Sequence, residues 1–301
     1  MANSLFKPKI IFYLLALILI SILLSFFVLQ ILLILLSAMC LLDLIVYRKI
    51  HFDSKGSVII LALLASKIIS SLLSDYSSIS LSALFKEIFF FLSYFAFTHY
   101  LYFMNEERKL LLLKTFVYSG LLVALIGIIK YNLGSLRAES ITSGSATFSV
   151  FITVITGIII LLKDKLLLWK NTFTEILLIT ILLSATTLTF AKANIIISLL
   201  ILFTCLMLRK IKWSVVIVSL VLTAVIVLFS MNINSKYFRN NLQDESYLFS
   251  NRDLIWKGAY SIALEKPLLG HGVGTFKETY PFWNQLKDKG VGNWHNQLIQ
   301  I

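Results

Sequence analysis

An all-α fold is predicted: a polytopic transmembrane helical bundle of roughly nine complete spans plus the start of another, with a long outward-facing loop containing short amphipathic helices. Three observations predict it. Apolar residues fill 58% of the 301 positions and charged residues 14%, whereas a soluble domain is about half apolar and about a quarter charged. Apolar runs of roughly 17 to 22 residues recur along the chain, and a helix needs about 20 such residues to cross the hydrocarbon. The runs lack the alternation of a barrel strand, and only a helix satisfies its own backbone inside lipid. A mean hydropathy of +0.89 agrees with all three.

Taken in order, the spans fall at 10–28, 30–47, 58–74, 83–103, 110–130, 145–162, 172–190, 194–208 and 213–231. Lys7 and Lys9 precede the first, which has no small-residue cleavage site and is longer than a signal-peptide core, so it reads as a retained helix. A tight turn near Gln30 separates it from the second. Cys40 and Cys205 lie inside apolar runs, which favours packing over disulfides or metal clusters. Lys67 lies near the middle of the third span, where a charge is expensive. Asp43, one helix away, is its expected partner. His51 and His99 fall near the cytoplasmic side and read as structural.

Lysine and arginine set the orientation. Lys7, Lys9, Arg48, Lys49, Lys55, Arg108, Lys109, Lys114, Lys163, Lys165, Lys170, Arg209, Lys210 and Lys212 fall on one side. The opposite short loops hold Lys130, Arg137 and Lys192. This bias puts the N-terminus in the cytoplasm of a multi-pass cytoplasmic (inner) membrane protein. It also accounts for much of the +12 net charge, which faces anionic membrane lipids. No aromatic-basic pattern points to nucleic acid. The chain thus divides into a bundle at 1–231, an extracytoplasmic loop subdomain at 232–294, and the start of a truncated further helix at 295–301.

Inside the loop, Ser250-Asn251-Arg252-Asp253 begins a helix, with Ser250 as cap and Asp253 completing a capping box. Ile255, Ala259 and Ile262 give it an apolar stripe. Pro267 stops it near Lys266, because proline disfavours helical geometry in the residue before it. Trp256 is an interfacial anchor, so the helix is expected along the membrane surface. Then comes Pro267-Leu268-Leu269-Gly270-His271-Gly272-Val273-Gly274-Thr275-Phe276. Alternating glycines let a backbone turn sharply and approach another group closely. No strand precedes this loop and no helix starts within it, so it is a tight turn and not a dinucleotide site.

From Asn251 to Ile301 the chain resembles the O-antigen ligase and polymerase superfamily of bacterial surface-polysaccharide enzymes. The resemblance is carried by an Arg opening an amphipathic helix, by Glu265 through Gly274, and by His295-Asn296 at a helix start. Arg137 followed by Ser143-Gly144 before a membrane helix adds to it, as do the helix order and the long outer loop. Where the family often carries an outward-facing arginine, this chain has Lys192 in Thr189-Phe190-Ala191-Lys192-Ala193. Lysine keeps the charge but loses the bidentate fork that suits phosphate.

The resemblance implies a glycosyltransferase that uses no nucleotide donor. Its donor would be an undecaprenyl-diphosphate-linked glycan, its acceptor a glycan or lipid A–core, and its active site on the periplasmic side. The chemistry fits independently. Breaking a glycosyl–phosphate bond develops negative charge on a diphosphate, which preorganised cations stabilise. The acceptor hydroxyl must lose a proton, for which histidine is the usual base. Arg252 and His295 are the catalytic candidates, and Arg137, Lys192, Arg252 and His271 the diphosphate-binding ones. No acidic pair with metal-ligand spacing stands out among Glu139, Asp244, Glu245, Asp253, Glu265, Glu278 and Asp288, so neither metal nor cofactor is expected. The alternative is a transporter or flippase of a glycan or small anion with the outer loop as lid; Lys67 leans that way, but the repeated halves common in transporters are not evident.

Overall fold

The computed structural model describes residues 4–48, 51, 54–139, 144–166, 171–234 and 252–281. Side chains are described for all of these except 23, 24, 26, 54 and 252–257. The described residues are helical throughout, joined by turns: α1 (Pro8–Leu24), α2 (Phe26–Tyr47), α3 (Ser54–Leu72), α4 (Ser77–Tyr102), α5 (Glu106–Asn132), α6 (Ser145–Leu161), α7 (Lys163–Leu166), α8 (Thr172–Thr187), α9 (Lys192–Met207), α10 (Trp213–Ile233), α11 (Arg252–Glu265) and α12 (Phe276–Thr279). Each predicted span has a helix at its position.

Of these, α2, α3, α4, α5 and α10 are long and apolar enough to cross a membrane. Among the described residues five helices meet the requirement, with α1, α6, α8 and α9 as shorter apolar helices, so the expected count of about nine is not confirmed. The reason is local for α8 and α9, of 16 residues each; such a helix rises about 24 Å against a hydrocarbon core of about 30 Å. Their ends are lost to the turn 188–191. There the Thr189 hydroxyl donates to the Thr186 carbonyl at 2.6 Å and accepts from the Ala191 N–H at 3.2 Å. Phe190 takes φ of 54°. Similarly, the break between the first two helices falls at Ser25, ahead of Gln30, because Ser25 Oγ accepts the Val28 N–H and caps α2.

Two compact units divide the chain, Met1–Leu32 with Phe103–Asn241, and Leu33–Tyr102 with Leu242–Ile301. In the first, α5 and α6 run antiparallel. A Cβ on Gly120 would lie 2.0 Å from Ile155 Cδ1, and one on Gly127 would lie 2.6 Å from Phe148 Cζ. Between apolar helices in lipid the driving force is close packing, and small residues permit it. Around this contact lie Val117, Ala124, Ile152, Ile159, Leu182 and Ala185, each at most 1% exposed. α6 and α9 run parallel, matched by Asn194 donating to Ser149 and by a Thr153–Ser198 hydroxyl bond of 3.0 Å. At the end where α6 finishes, Lys163 pairs with Glu175 at 3.1 Å and Lys210 with Asp164 at 3.7 Å.

In the second unit α3 and α4 form a hairpin. Lys67 pairs across it with Glu87 at 2.6 Å and lies over the Phe91 ring at 5.8 Å. The expected Lys67–Asp43 pair is thus corrected: Asp43 is wholly buried and accepts from the Tyr100 hydroxyl at 3.0 Å. Glu87 stands on the helix joined to α3 by the short turn 73–76, and Lys67 reaches it across that hairpin. Nearby, the His51 N–H donates to His99 Nδ1 at 3.2 Å, and the His51 ring stacks on Tyr102 at 4.4 Å. These histidines hold the α2–α3 connection against α4. A Lys67→Met variant leaves the Glu87 carboxylate alone and is expected to lose about 3 kcal/mol. Lys67→Met with Glu87→Gln should recover most of it. Reversible unfolding in mixed micelles checks the order.

Candidate functional site

In the first unit, three turns meet at one end. The segment after α5 is tied to the α8–α9 turn by the Ala138 N–H donating to the Leu188 carbonyl at 2.9 Å. The rings of Tyr131 and Phe190 lie 6.0 Å apart beside that bond. From the end of α10, the Asn234 side-chain amide donates to the Tyr131 and Ser135 carbonyls, both at 2.9 Å. These are the segments the sequence places outside. Arg137 stands half-buried next to Ala138. Lys192 is exposed as the first residue of α9. Two cations read as diphosphate ligands are therefore carried on mutually bonded turns. Glu139, the acid nearest in sequence, is neutralised by Lys130 at 2.9 Å. Lysine in place of arginine at 192 supplies a point charge on a flexible stem and not a planar fork.

Asn194 and Ser149 were not singled out in the sequence. Their bond fixes the start of α9 against α6, so Lys192 is held by a helix that is itself anchored. Polar residues one turn inside a predicted span are the signal that could have found them.

In the second unit, Arg252 opens α11, and the helix ends at Glu265 before Pro267, as the sequence predicts. The Arg252 side chain, its expected cap Ser250, and His295 lie outside the described residues. Ala259 and Ile262 of the predicted stripe are buried at 3% and 7%, and Gly258 lies against the Tyr280 ring. Tyr260 and Leu264 on the other face are exposed.

The glycine loop is a tight turn in fact. Gly270, Gly272 and Gly274 have φ of 63°, 98° and 75°, the left-handed region that glycine enters without steric cost. The Gly270 N–H closes onto the Lys266 carbonyl at 3.0 Å. The loop sits on the α3–α4 turn: Ser74 Oγ donates to the His271 carbonyl, and Lys266 Nζ lies 2.6 Å from Asp75. That hydrogen bond and the lysine's charge hold the Asp75 carboxyl below the ordinary aspartate range.

His271 turns inward. Its Nε2 lies 3.4 Å from the Ile262 carbonyl and 3.6 Å from Glu265, and its side chain is 13% exposed. Ile262 stands ten residues after Arg252 on α11, a rise of about 15 Å. The His271 ring thus lies beside the end of the helix opposite to the one Arg252 opens. Among the described residues, no group of three His, Cys, Asp or Glu side chains could hold a metal ion.

Several apolar helices long enough to span, among the described residues, mark a multi-pass helical membrane protein. Residues 172–301 match the family described as O-antigen ligase. The match supports assignment to an O-antigen ligase-like superfamily. No curated protein and no solved structure matches the chain.

Proposed function

We propose that this chain transfers a glycan from undecaprenyl diphosphate to an acceptor hydroxyl at the outer face of the cytoplasmic membrane. The acceptor is a sugar of a carrier-linked repeat or of lipid A–core. The observation that carries this reading is the O-antigen ligase match over 172–301. That segment contains Lys192, Arg252, His271 and His295. The bonded turns bearing Arg137 and Lys192 support it, because a diphosphate leaving group needs cations fixed in advance.

In the reaction, the acceptor oxygen forms a bond to the anomeric carbon while the bond from that carbon to the phosphate oxygen breaks. His295 takes the acceptor proton. Arg252, with Arg137 and Lys192 assisting, neutralises the diphosphate that departs on its carrier, and side-chain cations meet this charge without a metal. His271 serves at the far end of α11, where it secures the loop that joins the Arg252 helix to His295.

A surface-glycan gel from cells lacking the full-length gene tests the reading, with carrier-linked glycan assayed alongside. Long chains held on the carrier and missing from the final acceptor are expected of a ligase. Collapse of the ladder to one repeat unit is expected of a polymerase. An unchanged ladder with an unchanged carrier pool, in a strain with no redundant gene, overturns both.

A further inference from the structure

We propose that the α3–α4 turn is a positioning element for the transfer reaction, with Asp75 and Ser74 gripping the glycine loop that lies between Arg252 and His295. The inference rests on the glycosyltransferase reading, and assigns a task to residues upstream of the O-antigen ligase match.

Four contacts make turn and loop one block. Lys266, the residue after α11, reaches Asp75 at 2.6 Å. The Ser74 hydroxyl donates to the His271 carbonyl, and the Tyr76 hydroxyl donates to the Glu278 carbonyl at 3.5 Å. A Cβ on Gly272 would lie 2.5 Å from Ser80 Oγ, and one on Gly274 would lie 2.7 Å from Ala83 Cβ. The loop therefore touches the hairpin at Lys266 and again from His271 to Gly274. Its other side is fixed to α11: the Tyr280 ring fills the groove at Gly258 and stacks on Phe276 at 5.0 Å. The His271 ring returns to the last turn of the helix.

Moving α11, which begins at Arg252, means breaking this block. The stretch running on from Tyr280 to His295 likewise departs from an anchored point. Asp75 touches neither donor nor acceptor here; it acts through Lys266 and the loop. Its carboxyl is held below the ordinary aspartate range by Lys266, so the pair is intact at any pH near neutrality. It loosens only as pH falls through that lowered value.

Full-length chain in liposomes, assayed for kcat and for KM toward the lipid-linked donor, tests the proposal. Asp75→Asn and Lys266→Met should each lower kcat about fivefold, the reach of an exposed ion pair, with KM within about twofold of wild type. The exchange Asp75→Lys with Lys266→Asp should restore most of the loss. A merely stabilising pair would change the amount of folded protein and leave kcat per folded molecule alone. Wild-type kcat in the single variants, a loss in KM alone, or an exchange no better than the singles each overturns the proposal. If wild type transfers no glycan, the glycosyltransferase reading fails first. The clasp is then judged by chymotrypsin cleavage after Phe276, buried at 5%. Faster cutting in the singles and wild-type cutting in the exchange keep it; equal cutting discards it.

Discussion

Replacing His295 with alanine should lower glycan transfer by two to four orders of magnitude, the range that a positioned general base contributes. The protein should still insert and accumulate at wild-type levels, because a residue near a membrane surface adds little to the packing of a bundle. With the base gone, the acidic limb of the kcat/KM profile should flatten. Arg252→Ala should fall as far, since a departing diphosphate then meets one charge-assisted fork fewer. Arg252→Lys separates charge from geometry: partial activity is expected, as lysine offers a point charge without the planar pair of donors. Transfer within a few-fold of wild type in either alanine variant removes that residue from the mechanism. The pH profile distinguishes a lost base from a lost anchor, because only the former moves a limb.

How much of this was legible in the sequence follows from what each signal measures. Apolar run length locates a helix, and every predicted span has one at its place. It does not locate the ends, which are set by side chains that compete with the backbone. Ser25 captures the Val28 N–H at the start of α2, and Thr189 holds the turn that separates α8 from α9. Proline and glycine chemistry was read correctly because it is local. α11 ends before Pro267, and the three loop glycines all take positive φ. Pairing between helices was not legible. Asp43 and Lys67 are opposite charges on consecutive helices, yet Lys67 finds Glu87 across the α3–α4 turn and Asp43 finds Tyr100. Nothing in periodicity tells which faces meet.

The candidate site divides in the same way. Arg137 and Lys192 were grouped because both lie on outward turns, and the structure ties those turns together through Ala138 and Leu188. His271 was grouped with Arg252 because both lie in one segment. A straight helix then puts a length of about 15 Å between them. The residues that receive the glycine loop, Ser74, Asp75 and Ser80, are too ordinary to single out: a short polar turn between spans is what any hairpin shows. The family match begins at residue 172, yet the loop it covers is seated on a turn from the first third of the chain. A domain assignment that starts at α8 therefore omits part of what holds its own loop.

Gly272→Ala should undo that seat, and with the largest structural effect of any single methyl group added to the loop. Two costs add. Gly272 has φ of 98°, where a residue with a Cβ pays at least the 1–2 kcal/mol typical of left-handed backbone. The new Cβ would also lie 2.5 Å from Ser80 Oγ and 2.7 Å from both Cβ and Oγ of Ser74. Ser80 is a short side chain on helical backbone and the Ser74 hydroxyl is committed to the His271 carbonyl, so they have little room to yield, and overpacking of this kind costs about 1–3 kcal/mol. The sum, roughly 2–5 kcal/mol, falls on a loop whose Lys266–Asp75 ion pair to the turn is exposed and weak, so the loop should leave the α3–α4 turn. Gly270→Asn is the control. Its φ of 63° is one that asparagine tolerates, and it should leave docking within a few tenths of a kcal/mol of wild type, the scale of asparagine's αL preference over other residues. The measurement is chymotrypsin cleavage after Phe276 in sealed liposomes. Rapid cutting in Gly272→Ala beside wild-type protection in Gly270→Asn supports a docked loop that depends on the missing Cβ. Equal protection in both would mean that Ser74 and Ser80 can move aside, and that the glycine at 272 serves the turn alone.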